Sequence, residues 1–269
     1  MACTLWGSAG AVNQGGEVTL IAKNRDWKPN QTQILRIVRP DKGYAYLGLF
    51  AVGGDEPGLK AGINRKGLVI ISASAGSIPK KERKQAPGKK GLMRRILSSY
   101  STVDEVLKDR SIFSRARSQF LMMADDKALL NIEIGLNGRY SLKTQRNGNL
   151  CHTNHFLGPD MLAENRRIGN SSRTRLKRIA DLLAGPPAGG FALADFVRMS
   201  EDQHDGPRNS ILRQGAFPGD EKTVATWIAA IPRNGAPTVR IALWNPGEAE
   251  QILHFRLDEA FWRHIAPVQ

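Results

Sequence analysis

The chain has 269 residues, of which 41% are hydrophobic and 24% charged, a composition typical of a globular protein. No apolar run reaches the length of a membrane span, so the sequence predicts no membrane partner. Two cysteines exclude a disulfide-rich framework and leave one possible bridge, between Cys3 and Cys151. The formal net charge of +14 favours acidic partners such as nucleic acid, anionic surfaces or anionic substrates.

The first 80 residues are predicted to form mainly strands. Apolar segments that alternate or run continuously mark them at 4–6, 17–22, 33–38, 44–52 and 68–71. The sequence "NQGG" between the first two strands predicts a hairpin turn. The segment "PKKERKQAPGKKG" at 79–91 combines a charge run with proline and glycine, which indicates a solvated loop.

The remaining chain alternates groups of helices with groups of strands. Helices are predicted at 92–100 and 101–110, the second with Thr102 and Glu105 spaced as a capping box. The later elements are strands at 119–123, 128–134, 140–144 and 150–156, helices at 171–185 and 191–199, and strands at 223–231, 239–244 and 251–257. This order predicts an α+β fold with antiparallel sheets packed face to face and helix layers outside, in one domain spanning 1–269.

Cys3 is the first candidate for chemistry. A free cysteine is most often a small buried hydrophobic residue. At the N-terminus of a mature chain, however, its own α-amine has a pKa of about 7.7–8.0 and can take the proton of the thiol. One residue then supplies both nucleophile and base.

Asp26 and the segment "CHTNHF" at 151–156 supply further polar candidates. Asp26 follows a strand that would lie beside Cys3, where its carboxylate could orient the α-amine; a surface aspartate is the simpler interpretation of "NRDW" alone. Asn154, on a predicted strand, offers an amide donor suited to an oxyanion hole. A zinc site built from Cys151, His152 and His155 is disfavoured, because adjacent strand residues point to opposite faces.

A basic segment, "NSSRTRLKR", begins the predicted helix near 171. Its cations could bind phosphate or nucleic acid, or could form an ordinary solvated face. With the net charge, this segment supports the alternative hypothesis of a basic nucleic-acid-binding protein without enzymatic activity. The low aromatic content, 7%, offers little for a base-stacking platform.

Several motifs together resemble the N-terminal-nucleophile amidohydrolases. "CTLWGSAG", "TLIAKNRDW", "GINRKGL", "TNHF" and "SSRTR" occur in the order seen in the penicillin acyltransferase-like branch, which is related to the choloylglycine hydrolases. A weaker match, "DQHDGPRNSILR", follows at 202–213. The resemblance implies a four-layer αββα sandwich.

The resemblance also implies roles for individual residues. Cys3 corresponds to the nucleophile, Asp26 to the residue that orients its amine, and Asn154 to the oxyanion asparagine. Arg173 corresponds to an arginine that supports the nucleophile or the substrate.

Two positions depart from the family pattern. Lys23 stands where the family has an arginine, so the planar fork of the guanidinium is lost. Ser74 aligns with a second asparagine, so that a hydroxyl or a backbone amide would have to complete the oxyanion hole.

The sequence thus predicts a cysteine hydrolase or acyltransferase that cleaves a linear, non-peptide amide in a small N-acyl substrate through a thioester, with neither metal nor cofactor. Ala2 resembles the residue that signal peptidase leaves before its cut, which predicts a periplasmic or secreted protein; self-cleavage and a cytoplasmic location are the alternatives. The acyl and amine parts of the substrate and the oligomeric state are left open.

Overall fold

A computed structural model describes residues 2–13 and 16–264, without the side chains of 11–13 and 264. The strands are β1 (Ala2–Asn13), β2 (Gly16–Trp27), β3 (Thr32–Val38), β4 (Tyr46–Val52), β5 (Gly58–Asn64), β6 (Val69–Ala73), β7 (Gln119–Ala124), β8 (Leu129–Ile134), β9 (Tyr140–Gln145), β10 (Gly148–His152), β11 (Lys222–Pro232), β12 (Thr238–Leu243) and β13 (Gln251–Arg256). The helices are α1 (Lys80–Gln85), α2 (Leu92–Ser99), α3 (Val103–Lys108), α4 (Ser111–Ser114), α5 (Asn170–Ala184), α6 (Leu193–Ser200), α7 (Gly206–Asn209) and α8 (Glu259–His264), with a 3-10 helix at Pro159–Glu164.

The strands form two antiparallel sheets. The first has the order β10-β1-β2-β11-β12-β13, and the second runs β3-β4-β5-β6-β7-β8-β9 in chain order. The inward faces of both sheets share one core, to which Ile21 and Trp227 contribute from the first sheet and Leu49 and Met122 from the second. Face-to-face packing of two sheets thus places the main core between them.

Helices cover the outer face of each sheet. Ile96 and Phe113, from α2 and α4, pack on the second sheet, and Ile179 and Phe196, from α5 and α6, pack on the first. The predicted α+β fold, with helix layers outside two antiparallel sheets, is therefore confirmed. No helix in the described ranges is long and apolar enough to cross a membrane.

Three element predictions were wrong. The segment 79–91 contains helix α1, whose sequence "KKERKQ" buries no residue and so carries no apolar periodicity. Strand β5 was not predicted, because its first residues, "GLK", are only partly buried and do not alternate. Strand β10 ends at His152 rather than at 156. The turn predicted at "NQGG" includes residues 14 and 15, which lie outside the described residues, but the pairing of β1 with β2 around it is present.

The N-cap predicted at the start of α3 is confirmed, and the return bond of the capping box reaches Ser101, one residue before the N-cap. The Glu105 backbone N–H donates to Thr102 Oγ1 (3.1 Å), and the Glu105 carboxylate accepts from the Ser101 backbone N–H (2.6 Å). We expect Thr102→Ala to lower the free energy of unfolding by about 1 kcal/mol, because the first turn loses an acceptor. Urea unfolding measures this change, and Thr102→Ser, which keeps the hydroxyl, is the control. Equal losses in both variants would contradict the capping role.

Candidate active site

Cys3 lies on β1, between β10 and β2 in the first sheet. Its side chain is 4% exposed and belongs to the core between the sheets. It also lines a cavity of about 630 Å³, whose other walls come from β2, β5, β6 and the segments 83–94 and 117–119. The thiol is therefore shielded by the sandwich but adjoins a space large enough for a small molecule.

Side chains hold the backbone of Cys3 where a strand would otherwise do so. The register of β1 and β10 stops at the pair Leu5 and His152, two residues short of Cys3. Beyond that point the Cys3 N–H donates to Asn154 Oδ1 (2.9 Å), and the Cys3 carbonyl accepts from Arg175 Nη1 (2.7 Å). Beyond the end of β10, the side chains of Asn154 and Arg175 therefore replace the two backbone hydrogen-bond partners that a longer strand would have supplied.

Asn154 is fixed from three directions. Its backbone N–H donates to Ser172 Oγ on α5 (3.0 Å), and its Nδ2 donates to the Ser74 carbonyl (3.0 Å). Its Oδ1 also accepts from Arg175 Nη2 (3.0 Å). The amide was expected on a strand, but it lies just beyond one, where helix α5 rather than a sheet ladder holds the chain.

The neighbouring His155 belongs to the same anchor. Its Nδ1 lies 2.8 Å from Ser172 Oγ. Burial lowers the pKa of His155 to about 4, with the positive charges of Arg173 and Arg175 adding to the effect. The ring is therefore neutral at physiological pH. It supports the position of Ser172, and through it that of Asn154.

Arg175 is the arginine that reaches Cys3. It is 1% exposed, and besides Cys3 and Asn154 it donates to Thr4 Oγ1 (2.9 Å). Burial lowers its pKa, and the negative charge of Asp26 opposes that shift. A guanidinium with several donors in one plane can bind several oxygens at fixed angles, as it does here.

Arg173, predicted for this role, is exposed on α5 and lines a separate surface pocket with Lys177 and His204. Two residues along a helix correspond to a rotation of about 200°, so Arg173 and Arg175 point to opposite sides. The structure does not bring Arg173 to Cys3. The motif "SSRTR" contains both arginines, and only the packing of the helix distinguishes them.

Asp26 is completely buried on β2, opposite Ala2 in the ladder. Its Oδ1 accepts from Thr223 Oγ1 (2.8 Å), and its Oδ2 has no hydrogen-bond partner among the described residues. Burial raises the pKa of Asp26, against the opposing effect of Arg175 and Arg213. Arg213 Nη1 lies 3.8 Å from this oxygen, beyond hydrogen-bond distance. A buried carboxylate oxygen without a hydrogen bond is costly, and Asp26 pairs in the ladder with Ala2, the residue that precedes Cys3.

Lys23 lies in the wall of the same cavity. Its Nζ donates to the carbonyls of Lys60 (2.9 Å) and Ser72 (2.5 Å), which ties β2 to the opposite sheet. Burial lowers its pKa to about 7, and the electrostatic interaction with Cys3 opposes that shift. Lys23 therefore changes charge close to neutral pH, which the arginine of the family pattern would not do.

Ser74 also lines the cavity, but its contact with the site is through its backbone carbonyl, which accepts from Asn154. A role for its hydroxyl or N–H in an oxyanion hole stays a prediction.

Cys151 is a free cysteine, like Cys3. It pairs with Trp6 in the ladder and packs toward the helix layer, on the other face of the sheet from the Cys3 side chain. Burial raises the pKa of Cys151 to about 11.

Sequence reasoning missed several residues that build the site, above all Arg175, Ser172 and Arg25. Arg25 lies opposite Cys3 in the ladder and lines the cavity. An alternation count along "IAKNRDW" would have shown that Lys23 and Arg25 share one face and Asp26 the other. No group of three or more potential metal ligands is found among the described residues.

Solved structures of other proteins share this fold. Crystal structures of two variants of the conjugated bile acid hydrolase from Clostridium perfringens are similar to this chain over 94% and 95% of its length and 92% of theirs. The first gives a TM-score of 0.52 at 14% identity, and the second 0.50 at 16%. At such identities the likeness concerns the fold, which is that of the N-terminal-nucleophile hydrolases.

The family follows from the sequence profile. The profile described as "Acyl-coenzyme A:6-aminopenicillanic acid acyl-transferase" matches residues 12–248, and the chain belongs to this family. No curated protein matches the chain. The predicted class, an N-terminal-nucleophile amidohydrolase or acyltransferase, is confirmed, and nothing in these comparisons supports the nucleic-acid-binding alternative. The matched range includes Asp26, Asn154 and Arg175 and begins after Cys3.

The two arginines of α5 give a direct test of the site. We expect Arg175→Met to lower kcat/KM for a chromogenic N-acyl amide by about 10²-fold or more, because misplacing a reacting group by 1 Å has that effect. Arg173→Met should stay within about twofold, because Arg173 is exposed. Thermal unfolding of both variants separates loss of activity from loss of fold. A larger effect of Arg173→Met would restore the original assignment.

The pKa of Lys23 gives a second test. Lys23 is cationic below about pH 7 and neutral above it, so its positive charge beside Cys3 disappears as the pH rises. In Lys23→Arg the charge persists, and we expect the alkaline limb of the kcat/KM profile to move to higher pH. Lys177→Arg, on the exposed face of α5, is the control. Superimposable profiles of wild type and Lys23→Arg would show that this charge is not used.

Proposed function

We propose that Cys3 is the nucleophile of an enzyme that cleaves or transfers the acyl group of a small N-acyl amide, once the bond between Ala2 and Cys3 has been cut. One observation carries the proposal. The Cys3 N–H and carbonyl are held by Asn154 and Arg175 (2.9 and 2.7 Å), while the thiol adjoins a cavity of about 630 Å³. A cysteine whose backbone is held so firmly, beside space for a substrate, suits covalent catalysis.

Cleavage before Cys3 converts an amide nitrogen into an amine. The new amine keeps Asn154 Oδ1 as acceptor. Our candidate for a further acceptor is Oδ2 of Asp26, which accepts no hydrogen bond from the described residues and lies 3.8 Å from Arg213 Nη1. Two acceptors would orient the amine, whose lone pair then takes the proton of the Cys3 thiol. The proposed role of Asp26 is therefore to hold the amine, and it relieves the cost of burying that carboxylate.

The proposed reaction proceeds through a thioester. The thiolate attacks the substrate carbonyl, and the resulting tetrahedral intermediate places negative charge on the carbonyl oxygen. As the carbon–nitrogen bond breaks, the Cys3 ammonium gives its proton to the leaving amine. Water, deprotonated by the same amine, or a second amine then attacks the thioester and restores the thiol.

Asn154 is our candidate for stabilising the oxyanion. An amide nitrogen carries two hydrogens, and the Ser74 carbonyl takes one of them, so the other is available to the oxyanion. Lys23, in its charged form, adds positive potential in the same cavity. Removal of one such donor typically costs about 10²–10³-fold in kcat.

The route by which Ala2 is removed stays a prediction, with export and signal peptidase as the first hypothesis and self-cleavage as the alternative. Either route must end with Cys3 as the first residue, because an amide nitrogen is not basic near neutral pH. Activity therefore depends on maturation rather than on folding alone.

The maturation state is the experiment that tests this function. We expect protein that begins at Cys3 to cleave a chromogenic N-acyl amide about 10²-fold faster than protein that begins at Ala2, because the latter lacks the general base. Intact mass defines both samples. Equal rates would show that Cys3 uses another base and would overturn the proposal.

The two cysteines provide a matched pair for the nucleophile itself. In protein that begins at residue 3, Cys3→Ala should abolish turnover, while Cys151→Ala should retain it, because Cys151 lies on the helix side of the sheet. Mass spectrometry of a trapped acyl-enzyme should find the acyl group on residue 3 of the Cys151→Ala variant. Turnover by folded Cys3→Ala protein would contradict the assignment.

A further inference from the structure

The cavity beside Cys3 is strongly basic. Nine lysines and arginines line it against one acidic residue, Glu56, whereas the whole chain has 39 basic and 25 acidic residues. Glu56 is itself directed to Arg83, 3.6 Å away. The excess of positive charge is therefore concentrated in this cavity, where it raises the local concentration of anions.

Arg25 is, with Lys23, one of the two buried cations in the wall of this cavity. It lies opposite Cys3 in the ladder between β1 and β2 and is 2% exposed. No carboxylate of the described residues lies within 4.0 Å of its guanidinium nitrogens. Burial lowers the pKa of Arg25, and the more distant Cys3, Asp26 and Glu56 oppose that shift without forming an ion pair with it. A buried cation without a directly paired anion is expensive, so its retention beside Cys3 calls for a ligand.

Neutral amides fix the guanidinium in place. Arg25 Nε donates to Gln33 Oε1 (2.8 Å), and Nη2 donates to Gln31 Oε1. The side-chain nitrogen of Gln31 donates to the backbone carbonyls of Gly53 and Asp55. The side-chain nitrogen of Gln33 donates to the backbone carbonyl of Gln31. Both glutamines are thereby forced to turn their oxygens toward Arg25, which stacks on Trp27 with 4.8 Å to the ring centroid.

This arrangement fixes the orientation of the Arg25 guanidinium group without neutralising its positive charge. Nε and Nη2 are engaged by the two glutamines, and no hydrogen bond within the described part of the chain occupies Nη1. An arginine whose orientation is set in advance can bind a carboxylate at little entropic cost. Exposed cations such as Lys84, Lys90 and Arg94, on the solvent side of the cavity, would draw the anion inward.

We propose that the substrate of this enzyme carries a carboxylate, which Arg25 binds inside the cavity next to Cys3. The inference rests on the proposed function of Cys3 and names the class of its substrate: an anionic N-acyl amide rather than a neutral one. The proposed role of Arg25 is to select the substrate. Lys23 does not share this role, because its ammonium group already donates to the carbonyls of Lys60 and Ser72.

Three chromogenic anilides test the proposal on protein that begins at Cys3. Glutaryl-p-nitroanilide carries the carboxylate on the acyl side, pentanoyl-3-carboxy-4-nitroanilide carries it on the amine side, and pentanoyl-p-nitroanilide is neutral. We expect one of the two anionic compounds to exceed the neutral one in kcat/KM by about tenfold or more, the range for a hydrogen bond to a charged group. Which one does so identifies the side of the substrate that Arg25 contacts.

Variants test whether Arg25 causes the preference for an anionic substrate. Arg25→Gln should bring the ratio of anionic to neutral kcat/KM close to one, and Arg25→Lys should retain part of it. Arg36→Gln, an exposed arginine on β3 outside the cavity, should keep the wild-type ratio. A wild type without preference, or an Arg25→Gln variant that keeps it, would overturn the proposal. If Arg25→Gln does not fold, the proposal is tested by the wild-type ratio and by its partial reduction in Arg25→Lys.

A binding measurement separates this inference from the proposed function. In the Cys3→Ala protein, calorimetry compares glutaramate with neutral pentanamide for the acyl side, and 5-amino-2-nitrobenzoate with neutral 4-nitroaniline for the amine side. In one of these pairs the anion should bind at least about tenfold more tightly than its neutral partner, with the difference lost in Cys3→Ala/Arg25→Gln. If none of the anilides is cleaved but one anion binds in this manner, the proposed function fails and the anion site stands. If the anilides are cleaved but neither anion binds better than its neutral partner, the anion site is wrong.

Discussion

The site depends on how the backbone of Cys3 is held at the point where β10 ends. A continued strand would have used both polar groups of Cys3 in a sheet ladder, as it does at Leu5. Instead Asn154 and Arg175 bind them at 2.9 and 2.7 Å, and a side-chain network anchored on Ser172 holds Asn154. Buried backbone groups must be paired, so Cys3, our proposed nucleophile, and the side chains that hold it form one rigid unit.

Several buried charges around Cys3 lack a close partner of opposite charge or a full set of hydrogen bonds. Asp26 Oδ2 lacks a hydrogen-bond partner among the described residues, and Lys23 and Arg25 are buried with only neutral groups bound to them. Each is unfavourable for folding taken alone. Such features accumulate where a reaction or a ligand needs them, and here we connect the carboxylate to the α-amine and Arg25 to an anionic substrate. The stability of the surrounding sandwich makes these local costs tolerable.

The sequence predicted the layers better than the contacts. Apolar periodicity located the helix at 92–100 and most strands, because those elements bury one face against a core. It missed helix α1, which buries nothing, and extended β10 too far, because Thr153 and Asn154 are compatible with a strand by composition. Motif order then identified the class, while "SSRTR" did not distinguish Arg173 from Arg175, of which the structure places Arg175 beside Cys3.

What the sequence determined by itself is the chemistry available: a cysteine near the start of the chain, an aspartate at the end of the next strand and an asparagine followed by an arginine-bearing helix. Only the tertiary structure decided which of these meet. The rotation of α5 directs Arg175 inward, and the end of β10 brings Asn154 to Cys3. Residues distant in sequence come within hydrogen-bond distance through packing of whole layers, and no local pattern contains that information.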